Sequence, residues 1–323
     1  MPISTADEIA PILAGDIRAA ARLITRIEDG DPSVRPLLQA LYPLGGKARI
    51  VGVTGPPGTG KSTLVDQLVA AYRARGVKVG VVAVDPSSPF TGGAILGDRI
   101  RMSRHYTDAG VFIRSMAARG HLGGLARATG EAALVLDAMG CGMVFVETVG
   151  VGQGEVDVVR IAHAVVLVQA PGGGDDVQAA KAGIMEIGDV FAVNKARREG
   201  SDRTVREIEE MLDLRQSPAG HPGAGEGWRP PVLKTEAAEG EGIEELARAI
   251  DARCAFLEKH PAEGARLRRE QARHLLTEVL RDLAAERVLG AAGGTARFEE
   301  LLDAIAGRRE DPYSVALGIL GKG

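Results

Sequence analysis

The eight residues Gly55-Pro56-Pro57-Gly58-Thr59-Gly60-Lys61-Ser62 decide the fold of this chain. They match the spacing GxxxxGK[ST], follow an apolar run typical of a strand, and lead into a segment with helical periodicity. Glycines in such a loop let successive backbone N–H groups turn inward around phosphate oxygens, and the start of the next helix adds positive potential. The lysine reaches the β- and γ-phosphates, and the serine hydroxyl coordinates Mg²⁺. The stretch therefore predicts a site for a nucleoside triphosphate with Mg²⁺.

The predicted nucleotide contacts extend one residue beyond the motif, into the helix. They are Gly55, Pro56, Pro57, Gly58, Thr59, Gly60, Lys61, Ser62 and Thr63. Apolar side chains recur at helical spacing through residues 61–75, and Gly76 is suited to end that helix. The motif is thus expected to lie between a strand and a helix, where its backbone amides can face a phosphate.

Apolar runs on both sides of the loop alternate with helical segments. Six runs rich in Val, Ile and Phe predict strands at residues 50–54, 77–84, 143–147, 164–168, 190–194 and 232–234. Such near-continuous runs are typical of parallel strands covered by helices on both faces. The predicted fold class is therefore α/β, a P-loop NTPase fold with a mostly parallel sheet and helices on both faces.

Helical segments precede and follow this alternating region. We expect an N-terminal helical extension at residues 1–46, a phosphate-loop domain at 47–255 and a C-terminal helical arm at 256–323. In the extension, Thr5 with Glu8 fits a capping box, and Gly15-Asp16 separates two helices. The arm has little room for a core of its own, so it is expected to pack on the main domain or on another chain.

Composition excludes several classes of protein. The chain has 323 residues, 45% of them hydrophobic, with 39 Lys+Arg against 43 Asp+Glu. This balance argues against a nucleic-acid binder, and no apolar run approaches the length of a membrane helix. Cys141 and Cys254 form no CxxC pair, and the acidic N-terminus does not resemble a secretory signal. We therefore expect a cytoplasmic protein without nucleic-acid or membrane partners.

Carboxylates are expected near the phosphate loop to complete the Mg²⁺ site. Asp85 and Glu147 each end a predicted strand, and Asp98 follows Asp85 in the chain. Mg²⁺ prefers oxygen ligands and keeps several waters, so these side chains, with Ser62, are the predicted metal ligands. The alternatives remain that Asp85 is a turn residue before Pro86 and that Asp98 is a helix N-cap.

The stretch Glu147-Thr148-Val149-Gly150 is typical of a γ-phosphate sensor. Gly150 can offer its N–H to the terminal phosphate, while the loop after it changes with the nucleotide. Val151 follows, where many small GTPases carry a glutamine that orients water, and the role of Gln153 is open. Slow intrinsic hydrolysis is the resulting hypothesis.

Asn194-Lys195-Ala196-Arg197 is similar to the NKxD element with which GTPases read their base. The usual aspartate accepts hydrogen bonds from guanine N–H groups, whereas the Arg197 side chain can only donate. Asp202 is one candidate substitute. The stretch Thr235-Glu236-Ala237, after the last predicted strand, is expected to complete the base pocket with backbone amides.

Four long motifs together resemble one family. They are residues 53–62, the stretch 83–98 that begins Ala83-Val84-Asp85-Pro86-Ser87-Ser88-Pro89, the stretch 146–153, and residues 181–186. They resemble the MeaB/ArgK family of P-loop GTPases, to which the human methylmalonic aciduria type A protein belongs. The resemblance covers essentially the whole chain.

The resemblance implies a function and partners. It implies a GTP-binding and GTP-hydrolysing chaperone of a cobalamin-dependent acyl-CoA mutase, which gates cofactor loading and protects or reactivates the mutase. The protein would then contact cobalamin only through the mutase. Contact with an adenosyltransferase is a further implication of the resemblance. Members are typically homodimers through the C-terminal helical arm.

The resemblance also implies site residues. The loop from Pro171 to Lys181 looks like an additional switch that couples partner binding to hydrolysis, although an ordinary Gly-rich loop is the alternative. Asp175 and Lys181 match the family there and join Lys61, Glu147 and Gly150 as implied catalytic residues. Family members normally have aspartate at the position of Arg197. The arginine leaves three alternatives: guanine is bound by other groups, selectivity for the base is relaxed, or efficient turnover is lost.

Three other functions compete with this one. Kinase-like transfer of phosphate to a protein or small molecule is the role attached to the ArgK name. It needs a pocket for the phosphate acceptor, and the sequence indicates no such pocket. A metallochaperone NTPase needs a CxxC or His-rich segment, which the chain lacks. A purely structural nucleotide-bound partner would bind nucleotide without hydrolysis stimulated by another protein.

Overall fold

The structure is a computed structural model that describes residues 4–85, 102–117, 124–148, 160–172, 187–216, 227–291 and 294–320. The strands of these ranges are β1 Arg49–Thr54, β2 Val79–Asp85, β3 Val111–Ala117, β4 Met143–Glu147, β5 Ala164–Gln169, β6 Val190–Asn194 and β7 Val232–Thr235. The helices are α1 Thr5–Leu13, α2 Ile17–Glu28, α3 Arg35–Leu41, α4 Lys61–Ala74, α5 Gly124–Ala138, α6 Ser201–Gln216, α7 Ile243–Lys259, α8 Pro261–Ala291, α9 Gly294–Ala306 and α10 Pro312–Leu320. None of them is long and apolar enough to cross a membrane.

The seven strands form one sheet in the order β3-β2-β4-β1-β5-β6-β7. Every neighbouring pair is parallel. Strand β1 lies in the middle, between β4 and β5, and the strand order reverses around it. Ligands of such sheets bind at the carboxyl ends of the strands, near the point where the order reverses. The predicted fold class is confirmed, and the phosphate loop follows the central strand.

All six predicted strands are present, within one or two residues of their expected ends, but β3 is an addition. The sequence did not predict β3, because Arg114 interrupts its apolar run and the other strands were predicted from continuous Val, Ile and Phe. The Arg114 guanidinium forms an ion pair with Glu28 and donates a hydrogen bond to Thr25 Oγ1 at 3.1 Å. Both partners lie on α2, nearly ninety residues earlier, so only the tertiary fold makes the cation acceptable there.

Apolar side chains cover both faces of the sheet. Val82 and Val144 belong to a cluster with α1, α2, α3 and α5. Val81 and Phe145, their neighbours in the chain, belong to a second cluster with α4 and α7. Successive residues of a strand point to opposite faces, so these clusters lie on opposite sides. A third, smaller cluster joins α6 to β5 and β6. The N-terminal helices thus provide part of the cover of one sheet face.

The caps of the N-terminal helices agree with the sequence in part. The capping box predicted at Thr5 is wrong, because the N-cap is Ser4, whose Oγ accepts a hydrogen bond from Asp7 N at 3.2 Å. The break at Gly15-Asp16 is confirmed. Gly15 has φ +86°, and Asp16 caps α2 by accepting hydrogen bonds from two backbone amides.

The chain divides into two compact units, Met1–Leu267 and Arg268–Gly323. The first contains the sheet, the helices through α7 and the beginning of α8. The second contains the remainder of α8 together with α9 and α10. The described residues of the second unit are mainly helical.

Candidate nucleotide-binding site

The phosphate loop connects the end of β1 to the start of α4, at the carboxyl edge of the sheet. Its glycines are placed where the backbone requires them. Gly55 has φ +137°, and a Cβ atom there would lie 2.1 Å from the carbonyl oxygen of Val168 on β5. Gly60, the N-cap of α4, has φ +93°. A side chain at either position would collide with a neighbouring strand or with Asn194.

The other loop residues form a tight turn around the start of α4. Thr59 is buried, and its Oγ1 donates a hydrogen bond to the Pro56 carbonyl at 2.9 Å. Pro57 and Gly58 are exposed at the tip of the loop, and Thr63 is half-buried one residue beyond the motif. The predicted contacts from Gly55 to Thr63 therefore include buried residues as well as exposed ones.

The Lys61 ammonium lies inside the loop. Its Nζ donates hydrogen bonds to the carbonyl oxygens of Gly55 at 2.8 Å and Pro56 at 3.1 Å. Only 7% of the residue is exposed. A cation held beside the N-terminus of α4 creates strong positive potential, which suits a polyphosphate.

The hydroxyl of Ser62 and the carboxylate of Glu147 meet next to this ammonium. Ser62 Oγ donates a hydrogen bond to Glu147 Oε1 at 2.6 Å, and both residues are buried. Glu147 ends β4 and is in register with Val53 of β1. A hydroxyl and a carboxylate are the hard oxygen ligands that Mg²⁺ prefers. The two side chains present therefore fit the metal predicted for them.

A second contact between the same strand ends was not predicted. Thr148 Oγ1 donates a hydrogen bond to Thr54 Oγ1 at 2.8 Å, and both side chains are buried. Thr148 N also donates to the Val53 carbonyl at 3.0 Å. These bonds fix the chain immediately after Glu147. A threonine at the end of each of two strands was the available signal, but it indicates a contact only when the strands are known to be neighbours.

The described part of the chain omits the side chain of one predicted site residue and the whole of four others. Asp85 ends β2, two residues beyond Ala83, which is in register with Glu147. The side chain of Asp85 is outside the described residues. So are Asp98, Gly150, Asp175 and Lys181. Within the described ranges, no group of three or more His, Cys, Asp and Glu side chains is arranged to hold a metal.

Asn194 ties three segments of the site together. Its Nδ2 donates a hydrogen bond to the Thr59 carbonyl at 2.8 Å. Its Oδ1 accepts hydrogen bonds from Thr235 Oγ1 at 3.2 Å and from Ala237 N at 3.0 Å. The side chain is buried. The predicted base-reading element therefore lies against the phosphate loop, as its proposed role requires.

Lys195 extends along the same surface. Its Nζ donates a hydrogen bond to the Gly58 carbonyl at 2.6 Å, and its backbone has φ +59°. A left-handed conformation at a non-glycine residue costs roughly 1–3 kcal/mol and is often found at ligand sites. The Lys195 side chain therefore reaches the tip of the loop, as expected of a residue that would lie along a bound base.

Arg197 occupies the position that departs from the NKxD pattern. Its backbone N–H donates a hydrogen bond to Glu236 Oε2 at 3.2 Å, and its guanidinium forms an ion pair with Glu241. The carboxylates of Glu241, Glu239 and Glu236 raise the pKa of Arg197. Asp202, the candidate substitute, instead forms an ion pair with Lys234. Glu241 was not predicted as part of this site.

The chain is similar in sequence to known GTPases. The family described as "Methylmalonyl Co-A mutase-associated GTPase MeaB" matches residues 20–293. A Pyrococcus abyssi protein named "Putative GTPase" is 51% identical over 309 residues, covering 95% of this chain and 93% of that protein. GTPase ArgK of Escherichia coli is 38% identical over 254 residues, covering 76% of this chain and 74% of that protein.

The fold is also similar to a solved structure. The crystal structure of a LAO/AO transport system kinase superposes with a TM-score of 0.68 at 25% identity, covering 99% of both chains. This superposition and the family match over residues 20–293 both include the sheet and helices before and after it. The chain belongs to the MeaB family of methylmalonyl-CoA mutase-associated GTPases, and it is a GTPase with the P-loop fold.

Proposed function

We propose that this GTPase binds GTP with Mg²⁺ at the phosphate loop and serves as a chaperone of a cobalamin-dependent acyl-CoA mutase. The single observation that carries the proposal is the buried Lys61–Ser62–Glu147 arrangement, in a chain matched over residues 20–293 by a mutase-associated family. The arrangement supplies the chemistry of nucleotide binding. The family match supplies the class of partner.

Lys61 and the loop amides hold the phosphates in this proposal. The Lys61 Nζ exchanges its contacts with the Gly55 and Pro56 carbonyls for β- and γ-phosphate oxygens. Phosphoryl transfer depends mainly on positioning and on stabilising charge that develops in the transition state. A fixed ammonium and fixed amides provide both, because they need little rearrangement during the reaction.

Ser62 and Glu147 hold Mg²⁺, with Asp85 and Asp98 as further proposed ligands. When bound, the metal would neutralise charge on the β- and γ-phosphates. Ser62 Oγ and Glu147 Oε1 are already 2.6 Å apart, so little movement of the protein is needed to present both oxygens. Asn194, Lys195 and the stretch Thr235-Glu236-Ala237 form the base pocket.

Gly150, Asp175 and Lys181 are proposed to act in switch segments that report the nucleotide to the mutase. The bonds of Thr148 to Thr54 and to the Val53 carbonyl support this role for Gly150, because they fix the chain two residues before it. Binding of these segments to the mutase would speed hydrolysis. Cobalamin would be met only in the mutase, and an adenosyltransferase is a further proposed partner.

The test is co-purification of the host's cobalamin mutase with the full-length protein, followed by GTP hydrolysis with and without that mutase. We expect slow hydrolysis by the protein alone and an increase when the mutase is added. Lys61→Ala serves as the control that excludes a contaminating GTPase, because it removes the ammonium from the loop. A mutase that neither co-purifies nor changes the rate would contradict the chaperone role and leave the GTPase activity standing.

Phosphotransfer to another molecule is the second candidate, favoured by the kinase name of the solved relative. Incubation with γ-labelled GTP and host extract separates the two functions. Label appearing only in inorganic phosphate supports hydrolysis. Label retained in a protein or a small molecule, and lost with Lys61→Ala, supports phosphotransfer.

A further inference from the structure

The base pocket must supply an acceptor that Arg197 cannot provide. Guanine presents two neighbouring donors, the N1–H group and the 2-amino group, so a pocket selective for guanine needs acceptors opposite them, and one carboxylate can supply both. The NKxD pattern places that carboxylate on its fourth residue, which is Arg197 in this chain. Because a guanidinium has donors only, it faces guanine donors with no acceptor.

The structure brings a different carboxylate to this position. Glu236 Oε2 accepts a hydrogen bond from the Arg197 N–H at 3.2 Å. The Glu236 carboxylate therefore lies against the backbone of residue 197, the position at which the NKxD pattern has its aspartate. Glu236 is half-buried, and it lies between Thr235 and Ala237, which are both bonded to Asn194. Its carboxylate thus lies beside the backbone of the element that is similar to NKxD.

The backbone around Glu236 is fixed. Glu236 N donates to the Glu241 carbonyl at 3.0 Å, and Glu241 N donates to the Glu236 carbonyl at 3.2 Å, which closes a small antiparallel bridge. The Ala196 N–H donates to the Thr235 carbonyl at 3.1 Å and joins this turn to the base-reading element. Position 236 is consequently held in place on both sides.

The same turn keeps the guanidinium away from the pocket. Arg197 is directed to the Glu241 carboxylate, and 61% of its side chain is exposed. Asp202 is not available as the missing acceptor, because it is paired with Lys234 and 79% of its side chain is exposed. Of the three carboxylates of Glu236, Glu241 and Asp202, the described contacts place that of Glu236 against the backbone of residue 197.

We propose that Glu236 is the residue that determines selectivity for guanine in this chain, accepting the N1–H and 2-amino protons in place of the aspartate that Arg197 replaces. Glu241 supports it by holding the Arg197 guanidinium outside the pocket. This inference rests on the proposed base pocket, and it assigns the side chain of Glu236 a role beyond that of its backbone amide.

The test compares GDP, xanthosine diphosphate and ADP by calorimetry with the full-length protein, the Glu236→Gln variant and the control Glu239→Gln. Xanthine carries a carbonyl where guanine has its 2-amino group, so it needs a donor at this point. Glutamine keeps the shape of Glu236 but offers an amide donor. The control removes the same charge from an exposed residue of the same turn.

We expect Glu236→Gln to weaken GDP binding by roughly tenfold or more, which corresponds to a lost hydrogen bond to a charged group. The same variant should bind xanthosine diphosphate more tightly than the wild type does, and this gain also shows that the variant is folded. Glu239→Gln should keep the wild-type preference. Adding Arg197→Asp to Glu236→Gln should restore GDP binding.

An unchanged ratio of GDP to xanthosine diphosphate affinity in Glu236→Gln would overturn the inference while leaving the nucleotide site intact. A wild type that binds GDP no better than xanthosine diphosphate would overturn it as well. Failure of the wild type to bind any of the three nucleotides would instead reject the proposed site, and the inference with it.

Discussion

Two glycines of the phosphate loop, Gly55 and Gly58, differ in whether a larger residue fits in their place. Gly55 and Gly58 both have positive φ, at +137° and +76°. A Cβ on Gly55 would meet a backbone atom of β5, whereas a Cβ on Gly58 would meet nothing within 4 Å. The motif fixes glycine at position 55 but leaves position 58 open, and the close approach of β5 explains why Gly55 is irreplaceable.

Replacing these glycines should therefore have unequal effects on stability. Gly55→Ala is expected to lower the free energy of unfolding by ~3 kcal/mol or more, because β1 or β5 must move to relieve a backbone clash. Gly58→Ala should cost about 1–2 kcal/mol, the usual cost of a left-handed alanine. Urea unfolding of both variants measures the difference, and equal losses would contradict the close approach to Val168.

Asn194 provides a second prediction at this scale, because its side chain makes three hydrogen bonds that join β6 to the phosphate loop and to the stretch Thr235-Glu236-Ala237. Asn194→Ala leaves the Thr59 carbonyl and the Ala237 N–H without their partner, and it should lower the free energy of unfolding by about 2–3 kcal/mol. Thr235→Val is the matched control. It removes one of the three bonds and should cost about 1 kcal/mol. Equal losses in urea unfolding would show that Asn194 does not join the segments.

At the scale of elements, one arginine connects the N-terminal helices. Arg26 on α2 forms ion pairs with Glu8 on α1 at 2.6 Å and with Asp31 at 3.0 Å. Asp31 also caps the 3₁₀ turn Pro32–Val34 that leads into α3. The charged contacts thus define how the three helices follow one another, while their apolar faces cover the sheet.

The pKa of Asp31 gives these contacts a pH dependence. The Ser33 hydroxyl, the Ser33 N–H and then Arg26 lower this pKa from 3.8 to about 2. The ionised group therefore stabilises the fold above about pH 4, and this contribution is lost as the pH falls through about 2. Wild type should be more stable than Asp31→Asn at pH 7, and the difference should narrow below pH 4.

Urea unfolding of both proteins between pH 2.5 and pH 7 checks this expectation. Ser33→Ala should remove part of the same pH dependence, because the Ser33 hydroxyl is the largest cause of the shift. A difference between wild type and Asp31→Asn that stays constant across the range would contradict the assignment.

At the scale of the whole molecule, the two units bury their apolar residues differently. The first contains a sheet covered on both faces. In the second, Leu276, Leu280 and Leu283 on α8 are 59%, 56% and 40% exposed. Residues at this spacing lie on one face of a helix. This stripe supports the proposed homodimer through the C-terminal arm, because a dimer would remove the leucines from water.

Charge on this stripe should separate the protomers. Leu276→Glu with Leu280→Glu is expected to raise the dissociation constant at least about a hundredfold, since each buried leucine contributes about 1.5–3 kcal/mol. Light scattering after gel filtration measures the mass. Leu214→Glu, an equally drastic change at a residue 77% exposed on α6, is the control and should leave the mass unchanged. An unchanged mass in the double variant would contradict a dimer through this face.

Local sequence patterns determined the phosphate loop, six strands and the fold class. These features depend on short-range chemistry: a fixed glycine and lysine spacing, continuous apolar runs, and residues that end strands. The division at residues 46/47 and 255/256 stays a prediction, as do the roles of Asp85, Asp98, Gly150, Asp175 and Lys181.

Only the tertiary structure decided three further features: strand β3, the bond between Thr54 and Thr148, and the carboxylate beside Arg197. Each depends on residues far apart in the chain. Arg114 is acceptable in β3 because Glu28 faces it, and Glu236 reaches residue 197 because β6 and β7 are neighbours. A sequence states which groups can donate or accept, but folding decides which of them meet, since hydrogen bonds and ion pairs act only over a few ångströms.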